Sequence, residues 1–81
     1  MLERYSSGEL PMVGDLVDLN HGRSIECCVL VVVGGPTEGA AAGESVDAVR
    51  DNGPGLLVRL PGGDLLFTEI DDDMQLVKRD A

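Results

Sequence analysis

Ser24-Ile25-Glu26-Cys27-Cys28-Val29-Leu30-Val31-Val32-Val33 decides the fold. β-branched residues dominate it, and such side chains pack well on a pleated surface. Side chains alternate along an extended chain with a period of two. Ile25, Cys27, Val29, Val31 and Val33 would therefore share one face, and Cys28, Leu30 and Val32 the other. A strand apolar on both faces must be covered on both. The seven-residue run of residues 27–33 is far too short for the ~20 residues of a membrane span.

The flanks read as further strands. Upstream, Gly14-Asp15 opens the short stretch Leu16-Val17-Asp18-Leu19, and Asn20-His21-Gly22-Arg23 forms the turn into the central strand. Downstream, residues 34–54 are rich in Gly, Ala and small polar residues. Gly34-Gly35-Pro36 breaks the strand, and residues 37–43 read as a loop without strand character. Residues 44–50 stay open between a short strand and a helical turn: the spacing of Val46 and Val49 fits a helix, and the β-rich context argues for a strand. Asp51-Asn52-Gly53-Pro54-Gly55 is turn chemistry. Leu56-Leu57-Val58-Arg59-Leu60 and Leu65-Leu66-Phe67-Thr68-Glu69 are strands joined by the hairpin Pro61-Gly62-Gly63-Asp64. Met74-Gln75-Leu76-Val77-Lys78 is the last strand. The expectation is an all-β domain: a small five-stranded SH3-like barrel, closed or half-open, over residues 12–79. Residues 1–11 precede it as a flexible tail, in which Tyr5 and Leu10 have the side chains to dock on the domain.

Composition narrows the function classes. The chain has 81 residues, enough for one domain with a modest core. Its formal net charge is -9, with 15 Asp and Glu against 6 Lys and Arg, a field that repels nucleic-acid phosphates and anionic membranes. Tyr5 and Phe67 are its aromatic residues, too few for the stacking platforms that bind bases or proline-rich peptides. The sequence opens without the apolar core of a secretory signal, so a cytoplasmic location is expected. Two adjacent cysteines, Cys27 and Cys28, exclude a disulfide framework.

Each candidate for chemistry fails a specific test. Gly34-Gly35-Pro36-Thr37-Glu38-Gly39 follows a strand, but it has neither the Gly-x-Gly-x-x-Gly spacing nor the Gly-Lys-Ser/Thr of phosphate loops. His21 has Ser24 and Asp18 near in sequence but no nucleophile elbow. Cys27 and Cys28 would point to opposite faces, and three Cys and His residues cannot fill a structural zinc site. Glu69-Ile70-Asp71-Asp72-Asp73 lacks the glycine and distal glutamate of a calcium loop and reads as a solvated turn. No catalytic, cofactor or metal residues are assigned.

Gly14-Asp15-Leu16-Val17, the hairpin of residues 56–69 and the closing Met74-Gln75-Leu76-Val77 resemble small bacterial SH3-like barrel proteins. Among them, the plasmid-encoded type II dihydrofolate reductases are similar in length and opening. Their resemblance implies a homotetramer with a central active-site pore. Their pore motif, Val-Gln-Ile-Tyr, is absent; the comparable strand reads Leu65-Leu66-Phe67-Thr68. The resemblance thus implies a fold and an oligomer without the reductase activity. Proteins of mobile gene cassettes are similar in size and character.

A small, acidic, self-associating interaction module is the expected function. The alternatives are an oligomeric enzyme with an inter-subunit active site and an acidic adaptor or inhibitor on a basic protein surface. The expected assembly is a dimer or tetramer, with Cys28, Leu30, Val32, Leu57 and Leu66 in its interface, because they are out of phase with the inward-facing residues of their strands. The competing possibility is that residues 34–55 or the N-terminal segment cover this face within one chain.

Overall fold

The computed structural model describes residues 4–5, 8–19, 26–70 and 74–78. The elements run β1 (Leu16–Asp18), β2 (Glu26–Val33), β3 (Gly39–Ala40), α1 (Val46–Val49), a 3-10 turn at Arg50–Asn52, β4 (Gly55–Arg59), β5 (Leu65–Thr68) and β6 (Gln75–Lys78). Every strand pairing is antiparallel. The sheet order is β5-β4-β2-β1-β6, and β3 also pairs with β2. Among the described residues this path ends at β5 and β6 and does not close.

The central run of the sequence is the centre of the sheet. One edge of β2 carries β4, and the other carries β1 and then β3. Its alternation is not continuous. Val29 stands opposite Val58 and Val31 opposite Leu57, so Leu30 is an extra residue, a β-bulge. A bulge turns the residues beyond it by one step. The expected faces are corrected accordingly. Cys27, Val29 and Val32 lie in the larger core, whereas Leu30, Val31 and Val33 lie in a second one.

The larger core holds Tyr5, Val17, Cys27, Val29, Val32, Leu56, Val58, Ile70 and Met74. Each fully buried aliphatic side chain contributes about 1.5–3 kcal/mol relative to exposure. The second core lies on the opposite face of the sheet, with Leu30, Val31, Val33 and Leu57 packed under Ala41, Val46, Val49 and Phe67. Residues 34–55 supply its cover. Two readings of that segment are thereby settled: residues 46–49 are helical, and Gly39 and Ala40 pair with Val32 and Val31, although residues 37–43 carry no strand signal. The Leu30 carbonyl continues that register by accepting the Ala41 amide at 2.8 Å.

Tyr5, placed in a tail by its polar surroundings, is buried in the larger core. Its hydroxyl donates to Asp15 Oδ2 at 2.8 Å, and the same oxygen accepts the Met12 amide at 2.9 Å. Asp15 is fully buried, and a buried carboxylate needs such donors. The Gly14-Asp15 opening of β1 is therefore also the anchor for the segment before it.

Candidate interaction surface

The five residues expected to form an apolar patch do not form one. Leu30 is 5%, Val32 0% and Leu57 8% exposed. Cys28 is half-buried against the second core. Val32 is on the other side of the sheet from Leu30 and Leu57, because the bulge lies between them. Leu66 is 43% exposed and stands opposite Val58, on the side of the larger core. The second face is covered from within the chain.

The cover is pinned by polar contacts as well as by Val46 and Val49. Glu38 Oε1 accepts the Gly34 amide at 3.0 Å and the Arg50 guanidinium at 3.1 Å. Arg50 Nε also donates to Asp47 Oδ1 at 3.1 Å. These carboxylates, Asp47 before Glu38, hold the guanidinium protonated still more firmly than usual. Exposed ion pairs add little stability, so their effect is to fix where the segment lies.

The Cys27 thiol is not poised as a nucleophile. Burial, and secondarily the Asp18 carboxylate, push the Cys27 thiol above its ordinary range. The thiolate is the nucleophilic form, so this suppresses reactivity. Cys28 Sγ makes a weak contact, 3.9 Å, to the Val29 carbonyl. Among the described residues no three His, Cys, Asp or Glu side chains are placed to hold a metal ion. His21, Ser24 and Asp71-Asp72-Asp73 lie outside the described residues. No helix among the described residues is long and apolar enough to cross a membrane.

Among the described residues, the exposed large apolar side chains are Met12, before β1, and three at the ends of the sheet. Leu65 is 54% and Leu66 43% exposed on β5, and Val77 is 50% exposed on β6. Leu65 stands opposite Arg59, on the face of the second core, and Leu66 opposite Val58, on the other. On β6, Leu76 stands opposite Val17 and Lys78 opposite Leu16, which leaves Val77 as a bulged residue at the edge. Sequence reasoning named Leu66 but missed Leu65 and Val77, because it looked for unpartnered faces. The signal was present in Leu65-Leu66, two adjacent apolar residues on a strand next to a hairpin, which cannot both point inward. No family model matches the chain, and no curated protein or solved structure does.

Proposed function

We propose that this chain is a small acidic β interaction module, a half-open barrel of the SH3-like kind, that self-associates and has no chemistry of its own. The strand order supports the fold reading: β1, β2, β4 and β5 form a meander, and β6 returns beside β1. One observation carries the functional reading. Leu65 and Leu66 are exposed on opposite faces of β5, at an end of the sheet. A strand in that position presents backbone donors and acceptors ready to pair with another chain. Its short length, and the acidic Asp64 and Glu69 at its ends, restrict that pairing to a suitable partner.

Light scattering tests the reading. At ~100 µM, a concentration at which a contact of micromolar affinity is largely formed, the mass should exceed that of one chain. A single-chain mass across that range, at moderate salt, would remove self-association from the proposal.

A further inference from the structure

Residues 34–54 leave the sheet and return to it at one point. Val33 and Gly55, on either side of them, stand opposite each other in the β2–β4 ladder. A Cβ at Gly34 would lie 3.4 Å from Pro54 Cβ. Between these ends the segment pairs with the far edge of β2 as β3 and returns across the second face through α1. None of its residues is buried, whereas Leu30, Val31, Val33 and Leu57 beneath it are. Its own hold is slight: a two-residue strand, the half-buried Ala41, Val46 and Val49, and the exposed Glu38–Arg50 ion pair. Thr37 Oγ1 opposes closure, because it is enclosed with no hydrogen-bond partner among the described residues.

Independently of the self-association reading, we propose that residues 34–54 are a lid, which opens as a unit while β2 and β4 stay paired. Because its ends meet in the ladder, opening requires no movement of either strand. Gly34-Gly35 at one end and Gly53 at the other have positive φ and lack the Cβ that restricts rotation, so they serve as the hinges. Glu38 Oε1 is the clasp. It accepts both the Gly34 amide at the first hinge and the Arg50 guanidinium near the second. Segments with little buried surface open at a fraction of the global unfolding free energy. The open form bares the second core on a sheet that is otherwise native.

Hydrogen exchange on the unmodified chain is the first test. The Ala41 amide donates to the Leu30 carbonyl, and the Val29 amide donates to the Asp15 carbonyl. After correction for intrinsic rates, Ala41 should exchange on the order of a hundred-fold faster than Val29. Equal rates would mean that the segment opens only when the chain unfolds, and would overturn the lid. Thiol labelling then reads the face beneath. In a chain carrying Cys28→Ala and Leu57→Cys, the introduced thiol lies under the lid, and Cys27 in the larger core reports global unfolding. Val33→Cys, in the same core, carries the label instead if Leu57→Cys loses the native circular dichroism spectrum. With each rate taken relative to the same thiol in the urea-unfolded chain, the introduced thiol should react about a hundred-fold faster than Cys27. A fast Ala41 amide over a thiol as protected as Cys27 would mean that β3 frays with the face still covered, which also overturns the lid. Arg50→Gln removes the clasp at an exposed position. It should raise the Ala41 and introduced-thiol rates about two- to five-fold and leave Val29 and Cys27 unchanged. An unchanged Ala41 rate in that variant strikes the clasp.

Discussion

Gly55 shows how closely β4 and β5 approach at the residue scale. It is buried at the start of β4, and a Cβ built there would lie 2.6 Å from the Thr68 carbonyl oxygen and 3.0 Å from the Phe67 ring. A backbone atom cannot yield as the end of a side chain can. Gly55→Ala should therefore cost about 1–3 kcal/mol, the usual penalty for overpacking. Urea denaturation followed by circular dichroism would show this as a lower midpoint at an unchanged slope. An unaltered midpoint would mean that β4 and β5 are further apart than described. Tyr5 is the residue-scale feature least legible in the sequence. Its neighbours are polar, it is ten residues from Asp15, and no periodicity links the two. The Tyr5–Asp15 hydrogen bond depends on the chain turning back, which no local pattern encodes.

Among the elements, residues 34–55 are where the cover over the second core can be separated from the core itself. Val46 and Val49 are three apart, which places them on one side of a helical turn and against Leu30, Val31, Val33 and Leu57. Changing both, Val46→Asp and Val49→Asp, should lift the segment without disturbing β2. The expected readout is increased binding of a hydrophobic dye, with near-native β-sheet circular dichroism and stronger self-association. Unchanged dye binding would show that the two valines do not hold the cover in place. The five longer strands were legible from β-branched runs and turn residues, because both signals are local. The phase change in β2 was not. Cys27, Cys28 and the five residues after them contain no polar side chain to mark the inner and outer faces, so a bulge leaves no trace in the pattern. The interface residues chosen from that pattern inherited the same error, since they assumed that Leu30 and Val32 share a face. Gly39 and Ala40 were equally invisible, because they pair through their backbones and contribute almost no side chain.

Charge acts at the scale of the whole molecule. With a net charge of -9, two copies repel at any distance shorter than the screening length. If association relies on apolar edge residues, added salt screens many repulsions and few attractions. Sedimentation at about 0.05 M and about 0.5 M salt, where the screening length falls from beyond 10 Å to a few ångström, should find tighter association at the higher value. Weaker association there would show that charge attraction, rather than apolar contact, dominates the interface. The bulge at Leu30 also has a molecular consequence, one of chain length. The two halves of β2 keep separate parity, and they meet at a single residue. Losing the residue at that joint, Leu30, keeps every other residue of β2 on its present side of the sheet. Losing one from within either half turns the stretch between the gap and the joint inside out. A strand at the middle of a sheet is normally the segment least able to change length. Here it has one internal point at which a deletion keeps the phase of both halves, with the Leu30 side chain lost from the second core.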